Sequence, residues 1–436
     1  MLSDADIRQI LVERIDVQRQ SVGIAVGVIA PDRHSVITYG HLSKHGQRPV
    51  DGDTIFEIGS ETKVLTSLLL ADMVQREEVA LNDPVAKYLP EAVKVPERNG
   101  RPITLVDLAT HTSGLPRLPA NLSPKRPTNP YADYSFEDLY QFLSTHQLTR
   151  DIGSQYEYSN LGSGLLGYVL ACRAGATYET LVESRICEPL GMRATRITLT
   201  PEMQARLAAG HNAAMETVEN WDLPTLAGAG ALRSTANDML TFMTANLGYT
   251  ESRLAPAMAA MLKEQRPTGE PGLEVVLGWH ILASDGTEIV WHNGWSGGYR
   301  SFMGFEPKTR VGVVLLSNAS TLVGVDDIGR HLLDPRVPLA PPPKEHKQVG
   351  VNPKLFDGYL GIYRLSPNFA ITVTRDGDRL FVQATNQAKL EIFPEGDKEF
   401  FLKVVNAQVT FVTDDEGRAT ELILHQAGRD QRAKRA

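Results

Sequence analysis

Apolar residues follow two kinds of spacing along this chain, and the places where one gives way to the other divide the sequence. The N-terminal MLSDADIRQILVERI carries apolar residues at helical spacing behind Ser3 and Asp4, either of which suits an N-cap. SVGIAVGVIA and HSVITYGHLS follow as two strand-like runs joined at Pro31-Asp32-Arg33. The first run is almost wholly apolar, which predicts a strand covered on both faces. From Glu57 to about Asn246 the spacing becomes mainly helical, in VLTSLLLADMVQREEVAL, TLVDLATH, FEDLYQFLSTH, LGSGLLGYVLACRAG and ANDMLTFMTANLG. Strand patterns return near residue 273 with LEVVLGWHILAS, then TEIVWHNG after a turn at Asp285-Gly286, then YRSFMGFE and RVGVVLLSN, and VGVDDIGRHLL closes the segment as a helix. Strands at both ends with helices between imply one α+β architecture: an antiparallel sheet flanked by terminal helices, with a large helical insertion between its strands.

The stretch 335–352 is proline-rich, lacks apolar periodicity and reads as a stiff linker. Beyond it, short alternating runs separated by Asp376-Gly377, Pro394-Glu395-Gly396 and Asp415-Glu416-Gly417 predict a small antiparallel β-barrel or sandwich over 353–436. The expected domains are therefore 1–334 and 353–436. The basic stretch Arg429 to Arg435 reads as a solvated, frayed tail.

Composition narrows the function classes. With 44 Lys and Arg against 52 Asp and Glu, the formal net charge is −8, which disfavours nucleic-acid binding through phosphate neutralisation. No apolar run reaches the roughly 18 residues of a membrane span. No basic-then-apolar leader opens the chain. A cytoplasmic location is expected if the first residue is native, and a periplasmic or secreted one if a leader was removed. The two cysteines, Cys172 and Cys187, have no neighbours at metal-ligand spacing and are expected as buried free thiols.

Three short motifs carry candidate chemistry. Ser60-Glu61-Thr62-Lys63 opens an apolar helix, and residues three apart share a helix face, so the Ser60 hydroxyl and the Lys63 amine can meet. Lys63 precedes Val64, Leu65, Leu68, Leu69 and Leu70, and a lysine entering such a helix needs a buried partner. Tyr158-Ser159-Asn160 precedes a second apolar helix and offers a phenol and an amide, although taken alone a turn with Ser159 or Asn160 as helix cap explains it better. His292-Asn293-Gly294 ends a strand, where glycine permits close backbone approach. Two look-alikes are set aside. Gly294-Trp295-Ser296-Gly297-Gly298 fits G-x-S-x-G, but a strand rather than a helix follows it; Lys44-His45-Gly46 lies in an expected hairpin loop.

The order and element-boundary setting of these motifs, together with DLATHTSGLP (Asp107 to Pro116), GSQYEYSNLGSGLLG (Gly153 to Gly167) and AGALRSTANDM (Ala229 to Met239), resemble the penicillin-recognising serine enzymes: class C β-lactamases, D,D-peptidases and family VIII esterases. The resemblance spans about residues 5–335. It implies Ser60 as nucleophile, Lys63 and Tyr158 as proton-transfer groups, and Asn160, His292, Asn293, Gly294 and Trp295 as substrate-binding or supporting residues. It implies an oxyanion hole from the Ser60 and Trp295 N–H groups, a small-molecule or peptide substrate, and neither metal nor cofactor. Histidine stands at 292 where β-lactamases carry lysine. With the bulky Trp295 this predicts a preference for esters over β-lactams, and His292 is a candidate cation for lowering the Lys63 pKa. The C-terminal part resembles lipocalin-like β-domains of some relatives. An esterase with little β-lactamase activity and a non-catalytic acyl-compound-binding relative remain as alternatives. Oligomeric state is not readable from the sequence.

Overall fold

The apolar run GIAVGVIA forms strand β1 (Gly23–Ala30), and the reason it is apolar at every position is visible in what covers it. Ile24, Val26 and Val28 pack into one hydrophobic core, whereas Ala25 and Ile29 pack into another on the opposite side. Side chains alternate across a strand, so a strand with a core on each face has no polar row. The computed structural model describes all residues except Met1, Asp285, 343–345, 367–368, 386–388, 404–406 and 427–428. The first residue of the expected Asp285-Gly286 turn thus lies outside the described residues.

Two units divide at Pro341/Pro342. In the first, β1 joins β2 (Arg33–Gly40), β3 (Arg266–Pro267), β4 (Leu273–Val275), β5 (His280–Ser284), β6 (Thr287–Trp295), β7 (Arg300–Glu306) and β8 (Val311–Ser317). They form an eight-stranded sheet in the order β2-β1-β8-β7-β6-β5-β4-β3, antiparallel throughout. One face is covered by α1 (Asp4–Val12) and by the helix Asp326–Leu333; Ser3 caps α1 through its Oγ, which accepts from the Asp6 N–H at 3.2 Å. The other face carries the helical insertion. Its central helix α2 (Thr62–Gln75) is buried from Thr62 to Met73 all the way round, as expected for a helix inside a core rather than on one.

The run LEVVLGWHILAS is not one strand. It breaks into β4 and β5, with the Val276 N–H donating to the Trp279 carbonyl at 2.9 Å and Gly278 at φ +73°. A Cβ at Gly278 would come within 2.8 Å of the Lys63 carbonyl oxygen, so the turn is pressed against α2.

A bidentate ion pair ties the ends of this unit together. Arg14, 2% exposed, donates to Asp327 at 3.0 and 2.5 Å and to the Gly324 carbonyl at 2.7 Å. Removing one member of a buried pair leaves the other desolvated and alone. Arg14→Ala should therefore lower stability by about 3–5 kcal/mol in urea unfolding, and Arg14→Ala with Asp327→Ala by clearly less than the sum of the two singles.

The second unit is a closed barrel of β9 (Gly361–Ser366), β10 (Phe369–Asp376), β11 (Arg379–Ala384), β12 (Leu390–Pro394), β13 (Glu399–Phe401), β14 (Ala407–Thr413), β15 (Ala419–Gln426) and β16 (Arg429–Arg435). The basic C-terminal stretch is therefore not a frayed tail. It is the closing strand, paired with β15 along its length and with β9 at Tyr363↔Arg435 and Arg364↔Lys434, and it places Ala433 in the barrel core. Closure satisfies both of its edges, which outweighs its polar composition. The later part of the proline-rich stretch makes contacts of its own. Val349 donates to the Pro394 carbonyl at 2.9 Å and His346 meets Glu395 at 2.8 Å, both within this unit.

Candidate active site

Chain direction changes abruptly before α2. Gly59 adopts φ +50°, and Gly59–Glu61 form a single 3-10 turn that leaves Ser60 half-buried at the helix entrance. One turn later Lys63 is 2% exposed. Its Nζ lies 2.9 Å from Ser60 Oγ and donates to the Ala229 carbonyl at 2.6 Å. Burial, and then the nearby Arg117 guanidinium, push its pKa well below the ordinary lysine value. The amine is thus poised to be neutral. The cation that assists is Arg117 and not His292, because burial holds the His292 imidazole well below its usual pKa and hence neutral.

Tyr158 stands beside this pair. Its hydroxyl hydrogen-bonds to Ser60, and burial raises its pKa to about 12, so the phenol keeps its proton. The ring is walled by His111 at 4.6 Å between centroids, by Lys63 Nζ at 4.9 Å and by the Arg117 Cζ at 5.1 Å. Ser159, not Asn160, is the cap of α4 (Asn160–Ala174; after α3, Phe136–Thr145): its Oγ accepts from the Gly162 N–H at 2.8 Å and donates to the Pro116 carbonyl at 2.7 Å. The Ser159 N–H donates to His111 Nδ1 at 3.1 Å. The Asn160 amide nitrogen reaches the Tyr131 hydroxyl at 3.3 Å, while its Oδ1 is buried with no partner among the described residues.

The third motif enters along β6. Pairing with β5 ends at His280↔Trp291, whereas pairing with β7 continues to Trp295↔Arg300. Residues 292–295 thus have one strand neighbour only and turn the other edge toward the Ser60 turn. A Cβ at Gly59 would lie 2.7 Å from the Trp295 nitrogen, and one at Gly294 would lie 2.1 Å from the Ile58 carbonyl oxygen. Both glycines are required by this backbone-to-backbone approach. His292, 1% exposed, bonds through Nδ1 to the Asn293 carbonyl at 2.6 Å, so that nitrogen carries the proton; its Nε2 is buried without a partner among the described residues. The Asn293 amide is committed elsewhere, donating to Asp326 at 2.5 Å. The Trp295 indole is 51% exposed, with the Arg300 guanidinium 3.8 Å from one ring and its Nε1 donating to Ser320 at 2.5 Å.

The structure thus brings Ser60, Lys63, Tyr158 and His292 together with the Gly294 and Trp295 backbone, places Asn160 at the start of α4, and turns the Asn293 side chain toward Asp326. Several neighbours carried no sequence signal of their own. His280 lies 5.3 Å from His292 between rings and meets the Tyr156 hydroxyl at 3.0 Å. His111 lies within the motif DLATHTSGLP and Arg117 directly follows it, which is the one clue to either. Ser296 sits in the β6–β7 hairpin turn, its N–H donating to the Tyr299 carbonyl at 3.1 Å, with no helix behind it; Lys44-His45-Gly46 is a turn. Cys172 and Cys187 are both free thiols, but only Cys187 is buried. Cys172 lies near the end of α4, where the helix leaves the core.

Among the described residues, no group of three or more His, Cys, Asp or Glu side chains is arranged to hold a metal ion, and no helix is long and apolar enough to cross a membrane.

Residues 7–334 match the family described as Beta-lactamase, and residues 345–435 match Domain of unknown function (DUF3471). The D-alanyl-D-alanine-carboxypeptidase/endopeptidase AmpH of Escherichia coli K12 is 33% identical over 69% of this chain and 80% of its own. Penicillin-binding protein 4* of Bacillus subtilis is 24% identical across 98% of both chains. A solved Beta-lactamase/D-alanine Carboxypeptidase from Yersinia pestis superposes with a TM-score of 0.64 at 28% identity, over 73% of this chain and 95% of that one. The chain belongs to the beta-lactamase family of serine hydrolases, alongside penicillin-binding-protein relatives.

Proposed function

We propose that this protein hydrolyses amide or ester bonds of small carboxylate-bearing acyl compounds, peptides ending in a D-amino acid among them, through an acyl-Ser60 intermediate. The observation that carries this reading is the 2.9 Å contact between Ser60 Oγ and the buried, readily neutralised Lys63 amine. In the neutral amine the contact runs from hydroxyl to nitrogen. Lys63 takes the Ser60 proton as Oγ attacks the substrate carbonyl carbon, and charge on the carbonyl oxygen falls to the N–H groups of Ser60 and Trp295. Tyr158, whose phenol stays protonated, passes its proton to the leaving group and is resupplied from Lys63. Water then attacks the acyl-serine, with the proton transfers reversed. Base function requires neutral Lys63, so the acylation rate falls as pH drops through the lowered Lys63 pKa.

Substrate choice follows from charge. The neutral, buried His292 leaves the third motif without a cation. Arg117 is exposed, stands beside Tyr158, and makes no ion pair with a described residue. It supplies a free guanidinium where a substrate carboxylate can be held. The D-alanyl carboxypeptidase name of the Escherichia coli relative supports the same class.

Two measurements test this. Brief reaction with p-nitrophenyl butyrate should leave a butyryl group on the peptide containing Ser60, seen by mass spectrometry; rapid turnover with the ester found on another residue, or on none, would refute the mechanism. A D-Ala-D-Ala peptide should be preferred over its C-terminal amide. Arg117→Ala should raise KM for the free acid roughly 10–100-fold, the loss of one charged hydrogen bond. Because Arg117 also lowers the Lys63 pKa, ester turnover is compared on the alkaline plateau of each pH profile, where Lys63 is neutral in both proteins, and should there stay within a few-fold. An unchanged acid-over-amide preference in that variant would remove Arg117 from substrate binding.

A further inference from the structure

Behind the catalytic lysine lies a cavity of about 670 Å³ that the mechanism does not use. Its walls are the outer face of α4, the helix α5 (Tyr178–Val182) that follows it, Phe136 of α3 and the segment 224–228. No lining residue is charged. The hydroxyls that line it are already engaged by the protein: Tyr168 with Tyr140, Thr177 with Thr180 at 2.8 Å, Tyr178 with Thr66 at 2.7 Å, and Thr225 with the Tyr134 carbonyl at 2.5 Å. What remains for an occupant is ring and methyl surface, including the Phe136–Tyr168 pair at 4.5 Å, with the exposed Cys172 thiol among the lining. Size and lining suit a ligand recognised by shape and dispersion.

The floor of this cavity is joined to the active site by three hydrogen bonds and a close packing contact. The turn Ala227–Ala229 lies so tightly on α4 that a Cβ at Gly228 would come 2.9 Å from the Gly167 Cα. Thr66, one helical turn beyond Lys63, donates to the Gly228 carbonyl at 2.9 Å and meets Tyr178. The next carbonyl, that of Ala229, holds Lys63 Nζ. A shift of Tyr178 or of this turn therefore moves an acceptor of the lysine. We infer that the cavity is a second, non-catalytic site for an uncharged aromatic or alicyclic compound, whose occupation alters acylation through the Ala227–Ala229 turn and Lys63.

N-Phenyl-1-naphthylamine, a neutral fluorescent ring compound, is the probe. Full-length protein should enhance its fluorescence saturably with one site. Saturating probe should slow alkylation of Cys172 by N-ethylmaleimide at least 5-fold and change the p-nitrophenyl butyrate acylation rate at least 3-fold. Cys172→Trp, which fills the cavity from its exposed side, should lose both the fluorescence and the rate effect while remaining folded by circular dichroism. Enzyme already acylated on Ser60 should still bind the probe, which separates this site from the catalytic one. Undiminished binding in Cys172→Trp, or an unprotected Cys172, would overturn the site. Binding and protection with an unchanged acylation rate would overturn its coupling to Lys63.

Discussion

Ser60→Ala is expected to lose at least about 10⁴-fold in turnover of every substrate, because the covalent step has no second nucleophile and only binding and the N–H donors remain. Its folding should be untouched, since Ser60 lies in a half-buried turn and one hydroxyl is removed. The matched control is Ser296→Ala. Ser296 sits within a G-x-S-x-G match, yet the structure gives it a hairpin turn and 2% exposure instead of the strand-turn-helix setting that would present a nucleophile. That variant should keep at least about a tenth of the activity. Steady-state rates on one ester and one D-amino-acid peptide decide the matter: an active Ser60→Ala enzyme beside a dead Ser296→Ala enzyme would reverse the assignment.

Tyr158→Phe is expected to slow amide hydrolysis by about 10²–10⁴-fold, the usual range for a lost proton-transfer group. The ring keeps its contacts with His111, Lys63 and Arg117, so the thermal midpoint should hardly move. A sharper readout is the leaving group. p-Nitrophenolate departs without a proton, so its esters should suffer much less than an amide whose amine must be protonated. Equal losses on both would mean that Tyr158 orients Ser60 instead of delivering a proton. Wild-type rates on both would reduce it to packing.

Much of this site was legible in the sequence because its chemistry sits at element boundaries and depends on short spacings. Ser60 and Lys63 are one helical turn apart, and Tyr158 precedes a capped helix. The double-faced core of β1 was equally legible as an unbroken apolar run. What the residues alone did not reveal depends on pairing across the fold. His280 reaches the site because β5 pairs with β6 in a register that sets it opposite Trp291, next to His292. That register is set by the hairpin that pairs Ser284 with Thr287, and β5 starts at His280 because the chain reverses at Gly278, a single glycine inside a continuous apolar stretch. Arg117 is one arginine after a turn, marked by no spacing, and the neutral state of His292 follows from burial by residues far apart in sequence. The barrel's last strand went unread for a related reason. A surface-facing strand with Ala433 as its buried anchor has no alternation to detect, and its partners on both sides identify it.

The placement of β1 also bears on how the chain is made. Its partner β8 begins near residue 311, with Ile24 paired to Ser317, so roughly 290 residues separate the two. At about 5–20 residues per second, a strand apolar on both faces waits some 15–60 s on the ribosome with only the β2 hairpin for cover. Arg14 waits as long for Asp327. Nucleation by such distant pairing is slow, and an uncovered strand of this composition invites association between nascent chains. Synthesis of this protein should therefore lean on chaperones, and its yield should rise when chaperones are co-expressed.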